Sequence, residues 1–133
     1  MKIFLDTNIL LDLLLERERF EESMIILNSI ERGVHEGVLL DITLVNVDYI
    51  AKKQKVDASS FLKLIVKNCK VVGVDNTLAM EALELDNNDF EDSLQYVSAK
   101  SMGCEQMITN DKGFYKGEVE LVSSVEFVDG FLL

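Results

Sequence analysis

Short apolar runs alternate along this chain with longer stretches whose apolar positions recur three and four residues apart. Ile3–Leu5 is the first run, and the leucine-rich segment Ile9–Leu15 behind it reads as a helix capped by Thr7 or Asn8. Phe20–Ile30 is a second helical pattern, with Phe20, Met24, Leu27 and Ile30 on one face and Gly33 placed to stop it. Val38–Leu40 reads as a second strand. Thr43 then caps a helix through Lys53, in which Leu44, Val47 and Ala51 share a face, and Asp57 caps Ala58–Lys67, with Phe61, Leu62, Ile65 and Val66 inward. Lys70–Val74 is a third strand, and Asp75 opens a helix to about Leu85. The loop Asp86-Asn87-Asn88-Asp89 leads into a helix from Phe90 to Met102, closed by Gly103. Gln106–Thr109 and Val119–Val122 complete the strands, and Ser123 or Ser124 caps a last helical turn toward Phe131.

Strands separated by helices rather than by tight turns need crossovers, so the pattern predicts an α/β fold around a mostly parallel sheet. The 133 residues contain no proline, no low-complexity tract and no internal repeat, which leaves one domain over 1–133. A chain of this length buries roughly two-thirds of its unfolded surface and needs no disulfide staple. Cys69 and Cys104 lie far apart, without metal-ligand spacing, and read as reduced, buried thiols. The amino terminus lacks a leader pattern, because Asp12 interrupts the apolar run, and no stretch is long enough to span a membrane. The expectation is a cytoplasmic protein. Tyr49, Phe61, Phe90 and Tyr96 fall at helical spacing and read as core. The run from Ile9 to Leu15 carries more apolar surface than one buried stripe requires, which points to a homodimer or to capture of a partner peptide.

Charge and histidine content narrow the chemistry. Twenty-four acids against 13 bases give a net charge of −11, which argues against non-specific nucleic-acid binding but not against an enzyme whose acids hold a cation. The single histidine, His35, sits in a turn-like stretch and reads as a solvated loop residue. A single histidine disfavours a nucleophilic triad and a histidine-rich zinc site. Carboxylates, amides and hydroxyls, with or without a metal, must carry any reaction.

The acids are placed accordingly. Lys2-Ile3-Phe4-Leu5-Asp6-Thr7-Asn8 delivers Asp6 at the end of a strand, and Gln106-Met107-Ile108-Thr109-Asn110-Asp111 repeats the design with Asp111. Open α/β sheets keep their ligands at that edge, and clustered carboxylate oxygens suit magnesium or manganese. In Asp89-Phe90-Glu91-Asp92, Asp89 fits as a helix cap and Asp92 falls in the first turn, where the helix dipole favours an ionised carboxylate. The start of that helix is read as lying across the sheet from the end of the strand it enters, so connectivity alone does not join Asp92 to Asp111.

In order and spacing, Leu5-Asp6-Thr7-Asn8-Ile9-Leu10-Leu11-Asp12, Asp89-Phe90-Glu91-Asp92-Ser93-Leu94-Gln95 and Met107-Ile108-Thr109-Asn110-Asp111-Lys112-Gly113-Phe114 resemble the motifs of PIN-domain proteins. These are three-layer α/β/α metal-dependent ribonucleases, many of them the toxin half of bacterial VapC-type toxin–antitoxin pairs. The resemblance implies an endoribonuclease using Mg2+ or Mn2+, with an RNA substrate and an antitoxin partner. It makes Asp6, Asp92 and Asp111 the metal-holding acids, brings the start of the Asp92 helix to the same sheet edge, and adds Asp89 as a further acid nearby. Asn8 and Thr109 or Asn110 match polar positions beside the site, where turn and cap chemistry is the alternative role.

One position departs from the family. An acid is normally found on the helix after the second strand, and the matching residue is Asn46, a neutral amide. Asp48 is two residues on and points elsewhere, since two helical residues differ by about 200°. The resemblance therefore implies a site one charge short, which Asn46→Glu would restore, and the rival to a nuclease is a catalytically impaired PIN domain acting as a binding module. An aspartyl-phosphate phosphatase is disfavoured, because Asn8 stands where a second acid is needed. A receiver domain lacks its paired acids and lysine. The cluster Lys52-Lys53-Gln54-Lys55 reads as a solvated helix end, with phosphate contact as the alternative.

Overall fold

The computed structural model describes residues 1–131. Among them, strands β1 (Lys2–Leu5), β2 (Glu36–Leu40), β3 (Lys70–Val72), β4 (Gln106–Ile108) and β5 (Glu120–Val122) form a five-stranded sheet in the order β3-β2-β1-β4-β5. Every pairing is parallel. Parallel neighbours cannot be joined by a tight turn. The crossings use helices α1 (Thr7–Leu14), α2 (Phe20–Glu31), α3 (Asp41–Lys53), α4 (Ser59–Asn68), α5 (Asn76–Glu84) and α6 (Phe90–Ser101), and α7 (Ser124–Phe131) follows β5.

Side chains alternate across each strand, so the sheet feeds two cores. Ile3, Leu5, Leu39, Ile108 and Val122 pack with Ile9, Leu10 and Leu11 of α1, Ile26, Leu27 and Ile30 of α2, and with Val47, Ile65 and Phe127 of α3, α4 and α7. Phe4, Val38, Leu40 and Met107 face the other way, onto Ala82 of α5 and Leu94, Tyr96, Val97 and Ala99 of α6. The architecture is a three-layer α/β/α sandwich. No helix among the described residues is long and apolar enough to cross a membrane.

Several predicted punctuators act as read. The Asp75 carboxylate accepts from the Leu78 amide at 2.9 Å, and Asp89 accepts from the Asp92 amide at 3.1 Å. Gly33 and Gly103, at φ 77° and 69°, end α2 and α6 in the left-handed region that only glycine enters without strain. Others do not. Helix α1 starts at Thr7 with Asp6 itself at the cap position, and α3 starts at Asp41, directly after β2. Thr43 is therefore inside α3, fully buried, with its hydroxyl 2.9 Å from that of Thr7. Ala58 takes the cap position of α4, while Asp57 accepts from the Ser59 amide at 2.9 Å.

The aromatic reading is corrected in part. Tyr96 is buried and Phe61 partly buried, but Tyr49 is 58% and Phe90 47% exposed. Helix α3 buries the row Thr43, Val47 and Ala51, so Tyr49 turns off that face, and Phe90 precedes the packed turns of α6. Met24 and Val66 are likewise exposed rather than inward. His35 is half-buried, not a solvated loop residue: its Nδ1 lies 3.2 Å from the N-terminal amine and its ring sits edge-on to Phe127 at 5.1 Å. Cys104 is buried and Cys69 only partly so.

Candidate active site

The strand order reverses beside β1, so β1 and β4 are neighbours whose carboxyl ends open a crevice. Their ends are tied, since the Asp6 amide donates to the Ile108 carbonyl at 3.1 Å. The Asp6 side chain is only 3% exposed. Gln95 Nε2 donates to its Oδ1 at 3.1 Å and Thr109 Oγ1 to its Oδ2 at 2.8 Å. Burial raises its pKa, and these two donors oppose the rise. Thr109 Oγ1 also accepts from the Asp111 amide at 3.1 Å, so one hydroxyl orients both strand-terminal acids. Asp111 is exposed at the rim, its Oδ1 accepting from the Gly113 amide at 2.8 Å.

Helix α6 brings the remaining acids. A crossover helix runs antiparallel to the strands it connects, so its first turn lies at the carboxyl edge, where the following strand also ends. Connectivity thus does carry the start of α6 to the edge where Asp111 lies, contrary to the reading that set the two across the sheet. Asp92 is 8% exposed, and no hydrogen-bond donor reaches its carboxylate among the described residues. Burial above all, then the fields of Asp89, Asp6, Asp111 and Glu91, push its pKa up to about 7. Asp89 is exposed and adds to this field while its Oδ1 holds the cap bond.

Asn46, half-buried on α3, faces the same crevice, where its Nδ2 donates to Glu91 Oε1 at 2.6 Å. Glu91 Oε2 lies 3.5 Å from Gln95 Nε2. Burial raises the Glu91 pKa, with Asp6 and Asp89 adding to the rise and Thr7 and Asn46 opposing it. A continuous relay results: Asn46, Glu91, Gln95, Asp6, Thr109, Asp111.

Of the polar positions flagged beside the acids, only Thr109 touches one of them directly. Asn8 is exposed and accepts from Arg17 at 3.4 Å, a surface contact, while Asn110 Oδ1 accepts from the Ser124 amide and hydroxyl at 2.9 and 3.1 Å, where α7 begins. Asp48 pairs with Lys52 at 2.8 Å, away from the site. Glu91 and Gln95 are the residues that motif reading passed over. Their signal is spacing: Gln95 lies four residues after Glu91 and three after Asp92, so all three share a helix face.

The donors are all hard oxygens, and the three ion pairs among the described residues, Arg19–Glu22, Lys52–Asp48 and Lys100–Glu118, involve none of these acids. Negative charge is thus gathered without a protein cation to neutralise it. No three acids among the described residues converge tightly enough to enclose an ion by themselves. An open rim of this kind fits magnesium or manganese, since magnesium is usually held by one or two carboxylates and completes its shell with water and phosphate. Asp6, Asp92 and Asp111 are the carboxylates that this edge presents.

Cations stand at the margins. Lys53 lies 4.7 Å over the exposed Tyr49 ring, and both border a hollow of about 450 Å³ with Thr7, Asn8, Asn46 and Glu91. On the other flank Lys112 and Lys116 border a second hollow with Thr109 and Asp111. Away from the acids, Leu13, Leu14, Met24, Ile25, Phe61 and Leu64 line an apolar groove of about 570 Å³. The excess apolar surface of α1 is thus confined to its end, because Ile9, Leu10 and Leu11 are buried.

A family model for the PIN domain matches residues 3–119 of the chain. Over 135 residues the chain is 30% identical to Ribonuclease VapC1 of Aquifex aeolicus (strain VF5), covering 96% of this chain and 94% of that protein. Among solved structures it is similar to a toxin–antitoxin complex from Klebsiella pneumoniae, at TM-score 0.70 and 20% identity over 92% of this chain and 97% of that one. VapBC2 of Rickettsia felis, bound to a DNA fragment from its promoter, matches at TM-score 0.69 and 15% identity over 92% and 98% of the two chains. VapC20 of Mycobacterium tuberculosis, a sarcin–ricin loop cleaving toxin, matches at TM-score 0.68 and 15% identity over 84% and 92%.

Proposed function

This chain belongs to the PIN-domain family, and from that premise we propose that it is a divalent-metal-dependent endoribonuclease, the toxin half of a toxin–antitoxin pair. The observation that carries the proposal is the uncompensated carboxylate rim: Asp6, Asp92 and Asp111, brought to one sheet edge by β1, α6 and the end of β4, with no ion pair to any of them among the described residues.

When bound, Mg2+ or Mn2+ supplies neutralising charge for the phosphodiester and a water of lowered pKa. The chain's own groups do the rest. Thr109 and Gln95 fix both oxygens of buried Asp6, so its carboxylate cannot rotate away from the crevice. Asp92, short of donors and surrounded by like charge, gains most from a cation. Asp111 is exposed at the rim, its Oδ1 held by the Gly113 amide, and its other oxygen, free among the described residues, can meet the ion or an attacking water. Asp89, with Oδ1 held in the cap and its other oxygen free among the described residues, adds to the field and is the second carboxylate able to orient the water. RNA is drawn to an otherwise acidic surface by Lys53 on one flank and by Lys112 and Lys116 on the other, with Tyr49 offering a face on which a base stacks.

The antitoxin proposal takes support from two of the similar structures, the toxin–antitoxin complex from Klebsiella pneumoniae and VapBC2 of Rickettsia felis. The apolar groove between α1, α2 and α4 has the form that an amphipathic antitoxin helix fills. The work is placed in the cytoplasm, where RNA and the antitoxin meet. Cleavage of structured RNA in Mn2+ or Mg2+, with EDTA and Asp6→Asn as controls, tests the nuclease. Metal-dependent cuts that Asp6→Asn abolishes support it. Metal binding without any cleavage replaces it with the binding module.

A further inference from the structure

We infer that Glu91, steered by Asn46, is a further carboxylate of the metal-binding rim, so that α6 supplies here the charge that family resemblance places on α3. This rests on the metal-dependent reading above.

The first observation is the bond itself. Asn46 Nδ2 donates to Glu91 Oε1 at 2.6 Å across 45 positions of sequence, joining α3 to α6. The second is the shared amide. Gln95 is fully buried, and its Nε2 donates to Asp6 Oδ1 at 3.1 Å while lying 3.5 Å from Glu91 Oε2. One NH2 group has two protons, and here it addresses two carboxylates. Glu91 and Asp6 are therefore held around a common point rather than scattered. Glu91 is half-buried and borders the hollow it shares with Thr7, Asn8, Asn46 and Lys53, so an ion or a phosphate can reach it.

A first-turn acid that served only the helix dipole would gain as much by pointing outward into water. Glu91 instead turns inward, where Asn46 Nδ2 addresses its Oε1 at 2.6 Å and Gln95 Nε2, bonded to Asp6, lies 3.5 Å from its Oε2. Two neutral amides, from Asn46 and Gln95, hold it there. Asn46 is thus a positioning residue whose amide protons are its function. A glutamate in its place would press one carboxylate onto another where a 2.6 Å bond now stands. The consequence reverses what the resemblance implies: Asn46→Glu alone weakens the site, whereas moving the charge from α6 to α3 in a double variant preserves it.

The test is calorimetric titration of the intact protein with Mn2+, supported by thermal scans in EDTA to show that each variant folds. Glu91→Gln keeps the size of the side chain and its ability to accept from Asn46, removing only charge. Its affinity for Mn2+ is expected to fall on the order of 10-fold, in the range seen when groups supporting a metal site are changed. Asn46→Glu is expected to fall as well, and Asn46→Glu combined with Glu91→Gln to return to within about 3-fold of wild type. Wild-type affinity in Glu91→Gln, with affinity lost in Asp6→Asn, overturns the role of Glu91 and leaves the metal site standing. Tighter binding by Asn46→Glu alone overturns it too. Wild-type affinity in Asp6→Asn removes the metal site altogether, and this inference with it.

Discussion

Replacing Asp92 by asparagine should make the apoprotein more stable at pH 8 and leave it unchanged near pH 4. The folded-state pKa of Asp92 rises from the ordinary 3.8 to about 7, chiefly through burial and then through the fields of Asp89, Asp6, Asp111 and Glu91. A raised pKa means that the fold favours the protonated form. The associated stability is fully present below the unfolded pKa, near 4, and is lost as pH rises through about 7. Each pH unit between the two values is worth 1.36 kcal/mol, so the ceiling is about 4 kcal/mol. Solvent at the open rim screens part of that, and about 2 kcal/mol is the working figure. Asparagine is neutral at every pH and has nearly the same shape. A chain of this size should gain roughly 5–10 °C in Tm at pH 8. The assay is differential scanning calorimetry in EDTA at pH 4.5 and pH 8, followed by the same scans with excess Mn2+. Metal should reverse the ranking, because wild type gains binding free energy that the variant forfeits. A gain of the same size at both pH values would mean that packing, not charge, is responsible. A lower Tm at pH 8 without metal would refute the account of the site as a cluster of strained carboxylates.

Thr109→Val should cost about 1–3 kcal/mol in urea unfolding, because Asp6 Oδ2 and the Asp111 amide both lose the partner they share; an unchanged midpoint would show that water replaces the hydroxyl without penalty. Lys53→Ala should weaken RNA binding several-fold in fluorescence anisotropy and flatten its salt dependence while leaving Mn2+ affinity intact, since its ammonium lies over Tyr49 and is not paired with the acids; equal slopes against salt for the two proteins would remove it from the RNA surface. Met24→Asp, at a residue 48% exposed in the apolar groove, should leave the unfolding free energy within about 0.5 kcal/mol of wild type yet abolish co-purification with an antitoxin; an intact complex would move the antitoxin elsewhere.

The strands were legible because each apolar run serves two cores at once: Ile3 and Leu5 face one helical layer and Phe4 the other, so period-two burial on both sides leaves an unbroken apolar string. Helix starts were less so. Thr7 and Thr43 look like caps, yet the chain passes from β1 and β2 into helix without a loop, and their hydroxyls bond each other inside the protein. Asp6 and Asp111 could be read from strand ends alone, since parallel strands share one carboxyl edge. Asp92 follows from the same logic once the crossover helix is recognised as antiparallel to its strands. Glu91 and Gln95 obey no such local rule. A glutamate and a glutamine in the first turns of a helix ordinarily face water, and only the juxtaposition of α3 with α6 turns Glu91 toward Asn46, while the end of β1 presents Asp6 to Gln95. The same juxtaposition changes the meaning of Asn46. Taken singly, it is a missing acid; set against α6, it is a hydrogen-bond donor to one. If Glu91 joins the metal rim, the charge of this site belongs to the facing pair α3 and α6 rather than to either motif alone.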